Sequence, residues 1–249
     1  MRYVIITVAG RSERFNQDVS NPSLKCIFYR KDKRKTLLYA MLKKCTGYDK
    51  VIVVGGYQYD ALQSYIKEFA SEFPFSIETV YNASFAEYGS GYSLYEGIKA
   101  CLRDESCSEI LFAEGDLAVS AEEFVMIKQS DKSCLTVNCQ DIRSDKSVVV
   151  YINDKDEIKY QYDTSHGFFH IREPFSRIYN SGQIWKMKDR NAVDAVVKKM
   201  PEEEWQGTNL VFIEKYFNVV KKETIEIIPL KYWVNCNTRK DFEDCEENL

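Results

Sequence analysis

The first segment with residues suited to chemistry is a glycine-led basic loop near the N-terminus, Ala9-Gly10-Arg11-Ser12-Glu13-Arg14-Phe15. Gly10 lets backbone N–H groups approach a phosphate closely, and Arg14 together with Lys25 can neutralise a triphosphate. The loop has neither the GxxxxGK[ST] spacing of a Walker loop nor the GxGxxG spacing of a dinucleotide-binding fold. Taken alone, the segment is also compatible with a glycine turn that carries solvated basic residues.

Two carboxylates form a second candidate site, in the segment Glu114-Gly115-Asp116. Since side chains at i and i+2 after a strand can point to one side, both carboxylates can face the same ligand. Mg²⁺ favours one or two carboxylates together with phosphate oxygens of a substrate. Both carboxylates are therefore candidate metal ligands; the alternative is a pair of solvated surface acids.

A third candidate segment is rich in glycine and tyrosine. Gly89-Ser90-Gly91 can form a tight loop that admits a base, and Ser93 offers a hydroxyl near the start of a helix. Tyr88, Tyr92 and Tyr95 are aromatic residues that can enclose a quaternary ammonium by cation–π contact. The alternative for Tyr92 and Tyr95, three residues apart, is that both cover a sheet from one helix face.

These segments follow predicted strands, and the order of the elements indicates how they meet. Short β-branched or apolar runs predict buried strands, at 3–9, 51–54, 77–81 and 110–113. Helical spacing of apolar residues predicts helices, at 37–42, 60–69 and 92–102. This alternation predicts right-handed βαβ units and an open parallel sheet, in which ligands lie beyond the carboxyl ends of the strands.

The pattern changes after about residue 147. Short alternating strands are predicted, at 148–153, 158–162 and 168–171. The remaining predicted elements are helices at 192–200, at 208–218 and from about 238, and a strand at 223–228. No linker or internal repeat divides the chain. We predict one α/β domain: a three-layer, open, mostly parallel, Rossmann-like sheet with a small antiparallel subdomain.

Composition excludes several classes of protein. The chain has 34 Lys and Arg residues and 38 Asp and Glu residues, so its net charge is −4. This balance argues against a nucleic-acid binder, which would depend on a basic surface. No window approaches 18 apolar residues, so we predict no membrane-spanning segment. The N-terminal apolar run is interrupted at residues 10–14 and lacks the features of a secretory signal. The chain has eight cysteines without a CxxC pair and only two histidines, which argues against a zinc site. Because no export signal is present, we expect the cysteines to be reduced thiols and the protein to be cytoplasmic.

Together the motifs resemble those of nucleotidyltransferases of the GT-A-like fold, which transfer NMP from an NTP to a phosphorylated small molecule. The family's opening AGxGxRF, followed by PK, corresponds to Ala9–Phe15 and then to Asn21-Pro22-Ser23-Leu24-Lys25. Tyr81–Tyr95 looks like the Asn…Tyr…SLY stretch of phosphocholine cytidylyltransferases. Trp233–Phe242 is similar to the family's I-D-T-x-x-D-L ending, and Asn180–Trp185 resembles its acceptor-facing strand.

The resemblance implies roles for individual positions. Arg14 and Lys25 bind phosphate and stabilise the charge that develops during transfer. The implied Mg²⁺ ligands are Asp116 and Asn237; the family's acidic pattern after this strand makes Asp116 the main ligand and Glu114 a lesser one. The implied nucleotide-binding positions are Ala9, Gly10, Arg11, Ser12, Asn82, Gly89 and Ser93. The implied acceptor-binding positions are Glu114, Tyr88, Tyr92, Tyr95 and Trp185.

Two of these positions depart from the family pattern. Ser12 replaces the second glycine of the loop, and Asn237 stands where an Asp is usual, which removes one negative charge from the metal site. Alternatively, Asn237 or Thr238 caps the last helix, with Asp241 in its first turn. Weaker acceptor-side candidates are Glu204–Asn209, His166 and His170. The alternative is a place in the core for Trp205 and a structural role for the two histidines.

The resemblance predicts a Mg²⁺-dependent enzyme with a nucleotide-binding part (1–146), an acceptor-side part (147–232) and a C-terminal metal-site segment with a helix (233–249). CTP and phosphocholine, or a similar aminoalkyl phosphate or phosphonate, are the expected substrates, and pyrophosphate is released. One alternative is a sugar 1-phosphate nucleotidyltransferase, and another is a nucleotide-binding regulator without turnover. The expected partners are the NTP and the small acceptor, without nucleic acid or membrane, and a homodimer stays open.

Overall fold

A nine-stranded, mostly parallel sheet forms the centre of the protein in the computed structural model, which describes residues 1–17, 19–163 and 167–249. The strands are β1 (Arg2–Thr7), β2 (Lys50–Gly55), β3 (Ser76–Tyr81), β4 (Glu109–Glu114), β5 (Leu117–Val119), β6 (Ser133–Asn138), β7 (Val149–Asn153), β8 (Ile158–Gln161), β9 (Phe175–Met187), β10 (Ile225–Leu230) and β11 (Trp233–Asn235). All but β5 and β11, which pair with each other, belong to the large sheet.

Helices cover both faces of the sheet. They are α1 (Leu37–Lys44), α2 (Tyr59–Phe69), α3 (Ser90–Leu102), α4 (Ala121–Gln129), α5 (Arg190–Lys199), α6 (Glu202–Trp205), α7 (Leu210–Val219) and α8 (Arg239–Cys245). Residues that alternate along β1 enter two separate cores: Ile5 packs with α3, α5 and α7, whereas Val4 and Ile6 pack with α1, α2 and α4. This alternation is what a strand covered on both faces requires, and it confirms the expected three-layer α/β fold.

Strand order explains how distant segments reach one edge of the sheet. The order is β10-β6-β9-β4-β1-β2-β3, with β1 parallel to β2 and β4, and β9 antiparallel to both β4 and β6. The antiparallel β7–β8 hairpin pairs with the first half of β9. The antiparallel region therefore continues the central sheet through the long strand β9.

Most predicted elements are present, with small shifts at their ends. In α2 the buried residues are the four that helical spacing predicts, Leu62, Tyr65, Ile66 and Phe69. The strand predicted at 168–171 is wrong: these residues lie outside the strands, Phe168 is 73% exposed, and β9 begins only at Phe175. Strands β5, β6 and β11, helices α4 and α6, and the full length of β9 were not predicted from the sequence.

None of the helices in the described ranges combines the length and the apolar composition needed to cross a membrane. The eight cysteines carry free thiols, and only Cys139 among them is exposed.

Candidate active site

The basic loop after β1 turns sharply at Ser12. The Ser12 backbone is left-handed, with φ 57°, a conformation that favours glycine. The Ser12 carbonyl accepts a hydrogen bond from Asn16 N at 3.0 Å, and its hydroxyl accepts one from Lys25 N at 3.3 Å. The serine thus adopts the turn for which the family pattern has glycine, and its hydroxyl also joins the loop to Lys25.

Lys25 and Asp116 form a part-buried ion pair at the carboxyl edge of the sheet. Lys25 Nζ lies 2.8 Å from Asp116 Oδ2, and the two side chains are 15% and 23% exposed. The other carboxylate oxygen, Asp116 Oδ1, is buried and has no hydrogen-bond partner among the described residues. Leaving a buried charged acceptor unpaired is costly, so this oxygen is suited to a ligand that supplies positive charge.

The C-terminal segment brings Asn237 to the same place. Strand β11 pairs with β5, which follows Asp116 directly, and Cys236 N donates to the Asp116 carbonyl at 2.8 Å. Arg14 Nη2 donates to Asn237 Oδ1 at 3.0 Å. Thr238 caps α8 in a reciprocal capping box with Asp241, which confirms the capping role predicted for this segment.

Arg239, in the first turn of α8, ties the C-terminal segment to the basic loop. Its guanidinium carbon lies 4.3 Å from the centre of the Phe15 ring and 3.7 Å from that of Phe28. It also donates to the Phe15 carbonyl at 3.2 Å and to Ser23 Oγ at 3.0 Å. These contacts fix the segment that carries Asn237, which lies beside Arg14 although the two residues are 223 positions apart in the sequence.

Three cavities meet along this edge. The α3 cavity, about 350 Å³, extends from the start of the loop to the start of α3, and its lining includes Ala9, Gly10, Ser12, Lys25, Tyr88, Gly89, Ser93, Glu114 and Asp116. The loop cavity is lined by Arg11–Phe15, Lys25, Phe85, Ala86, Asp116 and Asn237. The β9 cavity, about 580 Å³, lies on the other side of Asp116 and is lined partly by β9 and β11. Asp116 is the one described residue that lines all three.

The wall of the α3 cavity is held by close backbone contacts. Gly89 N donates to the Gln206 carbonyl at 2.7 Å, and Gly91 N donates to the Gly207 carbonyl at 3.0 Å. A Cβ on Gly89 would overlap the Gly207 carbonyl, so only glycine fits at this position. Behind the wall, Asn82 Nδ2 donates to the buried Ser93 Oγ at 2.9 Å. Asn82 therefore supports the cavity from behind.

Of the three tyrosines, only Tyr88 lines the α3 cavity. Tyr92 and Tyr95 pack against the core of the α3 face instead, and the ring centres of Tyr95 and Trp205 are 4.9 Å apart. The three rings therefore do not enclose one ligand, and the alternative interpretation of Tyr92 and Tyr95 as sheet-covering residues describes them better.

Trp185 corrects another expectation. It is fully buried, stacks on Phe112 at 5.1 Å between ring centres, and donates from Nε1 to the Tyr160 hydroxyl at 2.7 Å. It cannot contact an acceptor because the side chain points into the core under the sheet. Its neighbours Asn180 and Ser181, on the same strand, do line the β9 cavity.

Glu114 lines both the α3 cavity and the β9 cavity. Burial raises the pKa of Glu114 to about 7, and the neighbouring Asp116 carboxylate acts in the same direction. Asn209 Nδ2 donates to Glu114 Oε1 at 2.8 Å and opposes this rise in pKa. Asn209 is buried at the start of α7, so the 204–209 segment lies behind Glu114 and the start of α3.

The β9 cavity is rich in amide side chains, of which Asn237 was predicted as a metal ligand and Asn180 and Gln183 lie in the strand predicted to face the acceptor. The amides that line it are Gln140, Asn180, Gln183, Asn235 and Asn237. Asn235 Nδ2 donates to Gln183 Oε1 at 3.0 Å, while Asn235 Oδ1 is buried without a hydrogen-bond partner in the described part of the chain. Gln183 also has a left-handed backbone, with φ 56°. An unpaired acceptor and a strained residue next to each other are typical of a ligand-binding position.

Of the two candidate histidines, only His170 can be placed relative to this site. His166 lies outside the described residues. His170 is exposed and lines a separate cavity with Tyr151, Tyr162 and Glu173.

The chain belongs to the family described as a domain of unknown function (DUF6564), whose model matches residues 21–249. No curated protein matches the sequence.

Solved structures resemble the chain over its whole length. The inositol-1-phosphate CTP transferase from T. maritima is 14% identical with a TM-score of 0.68, and the match covers 100% of this chain and 94% of that one. A putative glucose-1-phosphate thymidylyltransferase from Bacillus anthracis is 14% identical with a TM-score of 0.68, covering 99% and 94%. The CTP:phosphocholine cytidylyltransferase from Streptococcus pneumoniae is 14% identical with a TM-score of 0.62, covering 99% of each chain. At this identity the likeness establishes the fold, which is the GT-A-type fold expected from the sequence.

Proposed function

We propose that the protein transfers a nucleotidyl group from an NTP to the phosphate of a small phosphorylated acceptor and releases pyrophosphate. The observation that carries the proposal is the position of Asp116. This side chain lines all three cavities, pairs with Lys25 at 2.8 Å, and keeps its second oxygen buried and unpaired. A nucleotide in the α3 cavity and an acceptor in the β9 cavity would therefore meet at one carboxylate.

The basic residues suit the charge that this reaction develops. An oxygen of the acceptor phosphate attacks the α-phosphorus, the bond from the α-phosphorus to its bridging oxygen breaks, and pyrophosphate leaves with that oxygen. Arg14 and Lys25 adjoin the loop cavity, where the triphosphate would lie, and can stabilise this negative charge. No side-chain nucleophile is needed, because the acceptor is itself a phosphate anion. Catalysis then consists of positioning and electrostatic stabilisation.

The donor set fits Mg²⁺. Asp116 supplies a buried, unpaired carboxylate oxygen. Asn237, which lines two of the same cavities, supplies an amide oxygen that accepts a hydrogen bond from Arg14 in this structure. A site with one or two protein oxygens that leaves room for phosphate oxygens is what Mg²⁺ favours. When bound, Mg²⁺ would neutralise charge on the triphosphate and orient it.

CTP is the nucleotide donor we propose. The resemblance of residues 81–95 to cytidylyltransferases supports this choice, and two of the three structural neighbours named above are CTP enzymes by description. Phosphocholine as the acceptor depended mainly on an enclosure by Tyr88, Tyr92 and Tyr95. The three rings lie in a row, with 5.2 Å between the ring centres of Tyr88 and Tyr92 and 5.7 Å between those of Tyr92 and Tyr95, and only Tyr88 lines the α3 cavity. This row does not favour choline over other small phosphorylated acceptors.

The test is pyrophosphate release from each of the four NTPs with Mg²⁺ and a panel of phosphorylated acceptors. Asp116→Ala should reduce turnover by at least ~100-fold, as expected when a charged group at the reacting centre is lost. The matched control is Asp154→Ala, which removes an exposed carboxylate between β7 and β8 and should leave turnover unchanged.

Two results would contradict the proposal. Near-normal turnover in Asp116→Ala would remove this carboxylate from the reacting centre. Binding of CTP without pyrophosphate release for any acceptor would instead indicate a nucleotide-binding regulator.

A further inference from the structure

We propose that Arg239 is a positioning residue that joins the basic loop to the segment carrying Asn237, so that a nucleoside triphosphate and a divalent cation bind cooperatively. The inference rests on the proposed function, because it takes the basic loop as the site of the triphosphate and Asn237 as a metal ligand. Arg239 itself lines none of the three cavities that the described residues form at this edge, so it acts through its neighbours.

Arg239 holds the stretch of chain that separates the two residues predicted to bind phosphate. Its Nε donates to the Phe15 carbonyl at 3.2 Å, and its Nη2 donates to Asn16 Oδ1 at 3.3 Å and to Ser23 Oγ at 3.0 Å. Asn16 Nδ2 donates in turn to the Ser23 carbonyl at 2.9 Å and to the Ser12 carbonyl at 3.1 Å. One guanidinium and one amide therefore fix both ends of this stretch and the turn at Ser12.

The guanidinium of Arg239 is part-buried and lies against the rings of Phe15 and Phe28. Burial lowers the pKa of Arg239, and no carboxylate in the described part of the chain opposes this shift. Burial of a cation without a carboxylate is unfavourable unless other groups satisfy it, and here three hydrogen bonds and two rings do so. The planar fork of arginine reaches several acceptors at once, which the single ammonium of lysine does not.

The segment that carries Asn237 is fixed to the helix that Arg239 begins, α8. Asp241 Oδ2 accepts hydrogen bonds from Asn237 N at 2.9 Å and from Thr238 N at 2.7 Å. Thr238 Oγ1 accepts one from Asp241 N at 3.2 Å. The backbone of Asn237 therefore keeps a constant position relative to Arg239 and, through Arg239, to the basic loop.

Two other contacts at this site use groups that the ligands would occupy. Arg14 Nη2 donates to Asn237 Oδ1 at 3.0 Å. Lys25 Nζ lies 2.8 Å from Asp116 Oδ2. A metal ion at these oxygens and a phosphate at these cations would compete with both contacts, because each group would then serve a ligand. The contacts of Arg239 use none of these groups, so they remain when both ligands are bound.

Cooperative binding follows from this connection. A triphosphate fixes the position of the basic loop, and a metal ion fixes that of Asn237. Because Arg239 connects the two parts, the ligand that binds first also positions the part that the second ligand needs, and the second ligand orders less of the protein. By linkage, each ligand raises the affinity for the other by the same factor.

The experiment measures this factor by calorimetric titration of the unaltered protein with CTP. The Kd for CTP is determined in Mg²⁺ and again in EDTA, and the ratio of the second Kd to the first is the coupling factor. Binding of Mg²⁺ to free CTP contributes equally for every variant, so it cancels when two coupling factors are compared. We expect a coupling factor of at least ~10 for the unaltered protein.

Two substitutions of Arg239 separate its geometry from its charge. Arg239→Lys keeps the charge but not the fork that reaches the Phe15 carbonyl and Ser23 Oγ together. Arg239→Met keeps apolar contact with the rings and removes every donor. Phe242 packs on the same two rings, so contact between the two parts is kept in both variants. Each variant should lower the coupling factor about 3- to 10-fold.

Two further variants test the partner of Arg239 and provide a control. Ser23→Ala removes one acceptor of Arg239 without altering α8, so it should lower the coupling factor by a smaller amount. Combined with Arg239→Lys, it should lower the coupling factor no further than Arg239→Lys does alone. Arg177→Lys changes an exposed arginine on β9 and should leave the coupling factor unchanged.

A purely structural role of Arg239 predicts a different result. Looser packing would lower the midpoint of thermal unfolding and the fraction of protein that binds, and it would weaken CTP binding equally in Mg²⁺ and in EDTA. The coupling factor would then be the same in both Arg239 variants as in the unaltered protein, and this result would overturn the inference. A full coupling factor in Arg239→Lys alone would also overturn it, because the charge would then suffice.

The outcomes also separate this inference from the proposed function. Pyrophosphate release, with a coupling factor that does not depend on Arg239, would overturn the inference and leave the proposed function intact. A coupling factor that depends on Arg239, without pyrophosphate release for any acceptor, would contradict the proposed function alone. If neither Arg239 variant folds, an unchanged coupling factor in Ser23→Ala would overturn the inference and a lowered one would support it. Absence of CTP binding by the unaltered protein would overturn it as well.

Discussion

Gly115, between the two acidic residues of the site, offers a test of how tightly the end of β4 is held against β1. A Cβ at this position would overlap Val8 Cγ1 and would lie 2.9 Å from the Thr7 carbonyl oxygen and 3.1 Å from Ile6 Cγ2. Gly115 N donates to that same carbonyl at 3.0 Å. The substitution Gly115→Ala must therefore separate the two strand ends or distort the segment that carries Asp116.

The cost follows from these contacts. Overpacking against a backbone carbonyl and a stiff β-branched side chain costs about 1–3 kcal/mol, and loss of the Gly115–Thr7 hydrogen bond adds about 0.5–1.5 kcal/mol. We expect Gly115→Ala to lower the free energy of unfolding by about 2–4 kcal/mol. If Asp116 moves by about 1 Å, turnover should fall about 100-fold even in the molecules that remain folded.

Gly10→Ala is the matched control in the same cleft. An added Cβ there meets no atom within 4 Å, so the free energy of unfolding should change little. If a triphosphate approaches Gly10 closely, the methyl group should weaken nucleotide binding without loss of stability. Urea unfolding and CTP titration of both variants measure the two effects separately.

Two results would refute this reasoning. Gly115→Ala with the stability of the unaltered protein would mean that the contact between β1 and the end of β4 is loose. A double variant, Gly115→Ala with Val8→Ala, should recover only part of the lost stability, because the backbone carbonyl of Thr7 still lies too close. Complete recovery would show that the Val8 side chain alone caused the strain.

Three further changes have expected outcomes. Asn237→Asp should keep or tighten the Mg²⁺ dependence of turnover, because it adds a negative charge to the metal site; abolished activity in a folded variant would contradict the coordinating role. Ser12→Gly should change the free energy of unfolding by less than about 1 kcal/mol. Glycine removes the strain of the left-handed Ser12 backbone, and this gain offsets the larger chain entropy of glycine and the lost hydrogen bond from Lys25 N. A loss above about 2 kcal/mol in urea unfolding would be inconsistent with this account. Tyr95→Ala should lower stability by about 1–3 kcal/mol through lost packing on Trp205 and leave acceptor KM unchanged; a specific rise in KM would return Tyr95 to the acceptor site.

Local patterns predict most of the first half of the fold because its strands and helices are regular. The run in β1 and the spacing in α2 reflect burial on fixed faces, and burial is readable from apolar periodicity. Strand β6 is harder to predict: its buried Ser133, Thr136 and Asn138 are polar, and each forms a side-chain hydrogen bond with a distant element. Such a strand has no apolar pattern, so the sequence alone does not reveal it.

Some residues of the candidate site could likewise be predicted from the order of the elements, and others could not. Arg14, Lys25 and Asp116 follow strand ends, and parallel strands bring their carboxyl ends to one edge, so their meeting could be expected from the order of the elements. Trp185 was assigned to the acceptor because its strand resembles an acceptor-facing one. Regular alternation along β9 would put Ser181 and Trp185 on the same face. The left-handed backbone of Gln183 and the shift in register against β6 interrupt this alternation, so Asn180 and Ser181 line the β9 cavity while Trp185 is buried in the core.

The sequence by itself therefore determined the α/β class, and it predicted a phosphate-binding loop and a metal site at Asp116 and Asn237. Only the tertiary structure decided which of these residues meet. The insertion of β9 between β4 and β6, and the pairing of β11 with β5, place Asn235 beside Gln183 and Asn237 beside Arg14. These contacts join positions more than 50 residues apart, and their pairing is set by strand order and register, which no local periodicity encodes.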